Sequence, residues 1–490
     1  MHRTTIRRLA SLAALAVAFP LLLQAEVALA QPFTDHLVLQ RGQPVPVWGS
    51  AGAGEQVTVA FAGQEKPVVA DATGRWSVTL DPLTASEEPQ VLSVRGSTTI
   101  TIADVLVGEV WLCAGQSNML ASLDRLRTAG LPGGEDKQRA LELIEREQQT
   151  TTPGIRLLQS GKGGGWSACG PESLKNREKG PAGFSAVGYF FGKRLRAELK
   201  VPIGLIQAAV GGSRIELWTP PEAYLASPAF SREAAATPLV VDGVEPGKYF
   251  RSLVRPLARF AVRGVIWYQG ESNVLAGDDG PRYADKMQAL IEGWRHAWSQ
   301  RAMPFYYVQL PPFAYSRRSN PSRFTPQSLP YLREGQTAAL RIRDTGMVVT
   351  TDLAPVNDMH PGDKWSIGQR LADLALAYTY GHTHIVADGP SFRAMEPRGG
   401  ELVLTFAGGE LVSRNDRPLT GFEIAGDDRV FVPADAVIEA GRVVVLSAKV
   451  PQPVAVRFAW REESRPNLVN AAGLPAVPFR SDDWPVAKQP

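Results

Sequence analysis

Five times in the middle of this 490-residue chain a short, continuously apolar run breaks off into a small polar loop. VGEVWLCAG precedes Gln116-Ser117-Asn118, GLIQAAV precedes Gly211-Gly212-Ser213, and VRGVIWYQ precedes Gly270-Glu271-Ser272-Asn273. PFYYVQL runs into Pro311-Pro312, and GMVVTTD into a long loop holding Asn357-Asp358-Met359-His360. A strand that is apolar on both faces must be covered on both faces, so these runs predict a parallel sheet between two helical layers. Helical patterns at 187–199, 283–298, 331–343 and 364–378 fill the intervals. Strands alternating with helices make an α/β fold whose ligand sites lie at the carboxyl ends of the strands, where all five polar loops fall.

The remaining chain has a different texture. Residues 31–103 and 386–490 are short β-type runs divided by turn residues, such as EQVTVAFAG and RWSVTL in the first and ELVLTFAG and PVAVRFAW in the second. The expected organisation is a leader at 1–30, an N-terminal β module at 31–103, an α/β domain at 104–385 and a C-terminal β module at 386–490. The stretch 130–183 has weak periodicity and reads as a long insertion near the site.

The leader has basic Arg3, Arg7 and Arg8, an apolar run from Leu9 to Leu23 and the small-residue site Ala28-Leu29-Ala30, which is the pattern of an export signal. No later stretch is long and apolar enough to span a membrane, so the expectation is a periplasmic or secreted protein with no membrane attachment after cleavage. With 52 basic and 49 acidic residues the chain offers no electrostatic footprint for nucleic acid. Cys113 and Cys169 either pair in an oxidising compartment or serve as small buried hydrophobes.

A nucleophilic serine needs a base, and outside the leader the histidines are His36, His296, His360, His382 and His384. His360 follows a strand, with Asp358 two residues before it to hold the imidazole. Ser117 also follows a strand, after the small Ala114 and Gly115. Gly211 and Gly212 can present a backbone N–H to a developing oxyanion, and the Gln269–Asn273 loop adds side-chain amides; one such donor is worth roughly a hundredfold to a thousandfold in rate. Together these strand ends supply what acyl transfer requires. His382 and His384 in GHTH are both metal-ligand types, but two ligands without a nearby Cys or Glu make a poor site, so no metal or other cofactor is expected. Arg214, Glu216 and Trp218 follow the glycines, and Arg214 with Trp218 suits a sugar ring, core packing of Trp218 being the alternative.

GEVWLCAGQSNM, GGSRIELW, WYQGESN and DMHPGDKWSIGQRLA together resemble the sequence blocks of the sialate O-acetylesterase family of the SGNH hydrolase superfamily. LVLQRGQPVPVWG near the start and GLPAVPFRSDDW near the end extend the resemblance over nearly the whole chain. It implies a flavodoxin-like three-layer α/β/α hydrolase domain flanked by β-sandwich-like modules, and metal-free removal of O-acetyl groups from sugars. Ser117 is then the nucleophile and His360 the base, with an oxyanion hole from the Ser117 and Gly212 N–H groups and an amide of Gln269 or Asn273. The wider superfamily places its acid three residues before the histidine, where this chain has Asn357, so Asp358 is the first choice and Glu271 the rival. The substrate expected is O-acetylated sialic acid, the enzymatic alternative another acetylated glycan such as acetylxylan, and the alternative of another class a non-catalytic carbohydrate-binding protein.

Overall fold

The computed structural model describes residues 26–485 apart from 132–133, 162, 177–181, 278–279 and 318–323. Most of the expected leader therefore lies outside the described residues; within its last five, Ala28–Leu29 pair antiparallel with Gly49–Ser50. Among the described residues no helix is long and apolar enough to cross a membrane.

The five apolar runs form parallel strands: Thr99–Gly115, Ile203–Ala209, Gly264–Tyr268, Phe305–Val308 and Thr345–Val348. Thr99–Gly115 lies between Ile203–Ala209 and Gly264–Tyr268, with Phe305–Val308 and Thr345–Val348 beyond the latter. This is the doubly wound order of flavodoxin-like sheets, in which the first strand flanks the point where the winding reverses. Helices Ala186–Leu199 and Lys364–Leu374 pack together, as do Gly280–Ala297 and Ser328–Ala338. Ser185 caps the first of these by accepting the Gly188 N–H at 3.0 Å, and Asp363 caps the second by accepting that of Ser366 at 2.9 Å.

The described residues of the stretch 130–183 carry more secondary structure than its periodicity implied. It holds a helix, Gly134–Gln149, and a strand, Thr152–Gln159, which pairs parallel with Ile203–Ala209 and carries Ser167–Cys169 antiparallel on its outer edge. The helix is highly charged and buries little beyond Ala140, Ile144, Glu147 and Gln148, so its apolar stripe is too sparse to stand out in sequence. This hairpin also decides the cysteines. Cys113 and Cys169 sit on strands with two others between them, about 14 Å apart at about 4.8 Å per strand, beyond disulfide reach. Both are buried free thiols, and burial pushes Cys169 up to about 12.

Thr99–Gly115 is the spine of the molecule. Its first part pairs antiparallel with Ser86–Arg95 of the N-terminal module, and its last part with both neighbours in the α/β sheet. It passes through the expected division at 103/104 unbroken, and the N-terminal module and α/β layers bury one continuous apolar core. The C-terminal module has a core of its own around Leu404, Phe422, Val445 and Phe458. It is joined to the α/β domain by alternating cations and rings: Arg457 lies 4.0 Å from Phe431 and 5.8 Å from Trp460, and Arg480 lies 5.5 Å from Trp460 and 5.6 Å from Tyr331. Arg480 also donates to Glu334 at 2.9 and 3.1 Å.

Where the N-terminal module meets the spine, the buried Glu109 carboxylate accepts from Gln40 at 2.9 Å, Arg41 at 2.6 Å and Arg263 at 2.8 Å. Burial pushes this carboxyl up, but the Arg263 and Arg41 hydrogen bonds and charges hold it below its ordinary value. Truncation would leave two arginines facing a void, so Glu109→Ala is expected to cost about 3 kcal/mol, read from the urea midpoint of the transition that unfolds the shared core.

Candidate active site

Ser117 opens a single helical turn, Ser117–Leu120, directly after the spine strand. The turn is tight because Gly115, at φ 144°, approaches the next strand so closely that a Cβ there would lie 2.1 Å from the Tyr268 carbonyl oxygen. That approach lets the Gln116 N–H donate to the same carbonyl at 3.0 Å, and the Val210 N–H donate to Gly115 O at 3.1 Å. The serine is thereby fixed at the reversal of the strand order.

His360 comes from the loop after the strand Thr345–Val348, 243 residues from Ser117 in sequence, and its Nε2 lies 2.9 Å from Ser117 Oγ. Asp358 accepts the His360 backbone N–H at 2.8 Å, and the same carboxylate oxygen lies 3.9 Å from Nδ1. Glu271, the rival, is buried and accepts from the Asn118 side chain, and burial raises its pKa. The glycine turn reaches the same spot. A Cβ on Gly211 would be 3.8 Å from that of Ser117, and Gly212 has φ 68° with open space where a side chain would project. The backbone N–H groups of Ser117 and Gly212 have no hydrogen-bond partner among the described residues.

Three expected contacts fall elsewhere. Gln269 spends its amide on Ser213 O at 3.0 Å, Gln116 Oε1 at 3.1 Å and Asn273 Oδ1 at 2.7 Å, which leaves no N–H for an oxyanion. Asn273 is fully buried, accepts from the Ile215 N–H at 3.0 Å, and turns its own amide to Glu216 at 3.3 Å. Trp218 is fully buried between Tyr249 and Trp267, so the core-packing alternative holds and its ring offers no face to a sugar. All three residues buttress the glycine turn, Trp218 through an indole N–H donated to Ser213 Oγ at 2.9 Å. Arg214, one-fifth exposed, donates to Glu216 at 2.6 Å and to the Asp242 carbonyl at 3.0 Å.

A serine in hydrogen-bond contact with a histidine, beside backbone donors at a strand end, is equipped for acyl transfer. Comparison with known proteins agrees. Residues 107–377, which carry every element of this site, match the family profile described as carbohydrate esterase, sialic acid-specific acetylesterase. The chain belongs to this family. It is a carboxylic ester hydrolase, 34% identical to a carbohydrate acetylesterase from Xanthomonas citri whose crystal structure covers 94% of this chain and is itself covered completely, with a TM-score of 0.80. Human sialate O-acetylesterase is 28% identical over 493 residues, spanning 91% of this chain and 90% of its own. The mouse enzyme is likewise 28% identical, over 91% of this chain and 92% of its own.

The esterase also has a polar floor under Ser117 that its sequence conceals. Lys364 is fully buried and donates to Asn118 Oδ1 at 2.6 Å, with its ammonium 5.2 Å from the Tyr268 ring centre. The Asn118 amide donates in turn to Glu271 and, at 2.9 Å, to the Met359 carbonyl, tying the serine turn to the residue before His360. On the other flank Lys286, also fully buried, bridges Glu216 at 2.7 Å and Asp242 at 2.6 Å. A lysine within a helical pattern normally reads as solvent-facing, and only the acceptors brought around them by distant loops make these two internal.

Burial pushes Lys364 down to about 7, from an ordinary value of 10.5. Between these values the unfolded chain holds a proton that the folded chain lacks, so stability rises with pH by about 1.4 kcal/mol per unit from this residue alone. Lys364→Met is expected to flatten urea-derived stability against pH between about 7 and 10 by that amount; parallel profiles for the two proteins would show an unperturbed lysine.

Proposed function

We propose that this esterase removes O-acetyl groups from sialic acid through an acetyl-serine intermediate, with Ser117 as nucleophile, His360 as base and then acid, and Asp358 orienting the imidazole. The observation that carries this reading is the 2.9 Å contact between Ser117 Oγ and His360 Nε2. Ser117 attacks the acetyl carbonyl while Nε2 takes its proton, and the Ser117 and Gly212 N–H groups stabilise the oxyanion. The imidazolium returns the proton to the sugar oxygen as the C–O bond breaks. Water then attacks the acetyl-serine, giving its proton to Nε2, and Ser117 recovers a proton as acetate leaves.

The sialic acid assignment is supported by the human and mouse relatives. Arg214 is the partly exposed cation that follows the oxyanion glycines in the chain, suited to a sialate carboxylate. The Xanthomonas carbohydrate acetylesterase, the relative with higher identity, supports a second reading in which the acetyl groups sit on other glycans. Export by the leader at 1–30, to the periplasm or the exterior, places the enzyme where such glycans occur.

Acetate release from 9-O-acetylated sialic acid is expected to exceed release from acetylxylan and to fall by at least about a thousandfold in Ser117→Ala. It should rise with pH through an apparent pKa of roughly 6 to 7 and stay level above it, because only neutral His360 accepts the proton. Preference for acetylxylan would retain the mechanism and select the second reading. A rate flat down to pH 4 would remove His360 as base.

The acid is tested separately. Asp358→Asn is expected to lower kcat by orders of magnitude with little change in KM, and Glu271→Gln much less, since Glu271 acts on the loop through Asn118. The reverse ranking would transfer the role to Glu271.

A further inference from the structure

At the opposite end of the sheet from Ser117, the fold completes a set of side chains that the sequence left one short. Helix Ala186–Leu199 starts beside Ala121, whose carbonyl accepts the Ala186 N–H at 2.8 Å, and runs about 21 Å to the other edge of the domain. The helix beginning at Lys364 packs along it and ends just before the GHTH segment. Glu198, in the last turn of the first helix, thereby meets His382 and His384, one ligand atom of each lying within 4.8 Å of the other two. The imidazole rings are 5.6 Å apart and tilted by 36°. His382 Nδ1 is buried without a hydrogen-bond partner among the described residues, although a buried imidazole nitrogen normally has one. Arg194 donates to one Glu198 oxygen at 2.5 Å, which leaves the other oxygen for a cation.

We propose that Glu198, His382 and His384 form a site for a divalent transition-metal ion, zinc being the best match. Two neutral imidazoles and one carboxylate are borderline donors that suit zinc and its first-row neighbours, whereas calcium and magnesium require more oxygen ligands than this cluster holds. Tetrahedral zinc places its donors about 3.3 Å apart, so the three groups must draw together by at most about 1.5 Å. His384 is exposed and lies in a short loop, where a side-chain rotation covers that distance. Water fills the fourth position. Far from Ser117, the ion acts structurally: it staples the ends of the two packed helices where the chain leaves for the C-terminal module. The proposal is independent of the esterase mechanism.

Isothermal titration of zinc chloride into the full chain is expected to give one equivalent bound per chain, with no comparable uptake of calcium. His384→Ala and Glu198→Gln should each weaken that binding at least about tenfold, while the acetate-release rate of the metal-free variants stays at the wild-type value. Both substitutions are at incompletely buried positions, so the test does not depend on replacing His382. No binding at about 100 μM zinc, or undiminished binding in the His384→Ala, Glu198→Gln double variant, would overturn the site.

Discussion

Much of the architecture depends on the close approach at the end of the spine strand. Gly115 lets Thr99–Gly115 end against the Tyr268 carbonyl with no side chain between, and the following residues turn out of the sheet there. A larger residue would push the Tyr268 strand away, and with it the Gln116 N–H bond to Tyr268 and the Gln116–Gln269 contact. The strand-order reversal of a doubly wound sheet opens a crevice at this position, and the missing side chain allows a nucleophile to be held rigidly at its floor. Rigidity matters because hydrogen bonds to a transition state contribute most when the donors are already in place.

Both β modules act on this arrangement through particular residues. The N-terminal module is welded to the spine by Gln40 and Arg41 on Glu109. The C-terminal module reaches the site side: Glu462 accepts from Ser316, and its carbonyl takes the Phe313 N–H at 3.0 Å. The neighbouring Ala314 N–H donates to Val356 at 3.1 Å, two residues before Asp358. On the same loop Asp352 is held by Arg370 at 2.6 Å and approached by Arg414 of the C-terminal module at 3.6 Å. A histidine on a long loop needs such bracing, since unrestrained it would lose entropy each time it met the serine.

What is legible in the sequence is what is local. Strand ends, the Ser117 turn, the Gly211-Gly212 pair and the Asp358-x-His360 spacing are written in contiguous residues, and the structure brings all of them to one place. What is not legible is whatever depends on neighbours in space. Trp218, Gln269 and Asn273 are the right chemical types for ligand contact, yet packing turns them inward to hold the glycine turn. Lys286 and Lys364 have the helical context of surface residues and became internal because acceptors from distant loops surround them. Glu198 lies 184 residues before His382, a separation at which no spacing rule operates.

What the sequence by itself determined is the period and polarity of its segments. Doubly covered apolar runs ending in polar loops admit few folds other than a wound parallel sheet, and that sheet has one set of ends where ligand chemistry gathers. Only tertiary structure decided which of the polar groups at those ends are left to react and which are consumed in mutual hydrogen bonds. It also decided that Cys113 and Cys169 lie strands apart, and that the N-terminal module shares its core with the hydrolase layers while the C-terminal module keeps its own. The physical reason is the same throughout: periodicity is a property of neighbouring residues, whereas burial, pairing and reach are properties of the whole packed chain.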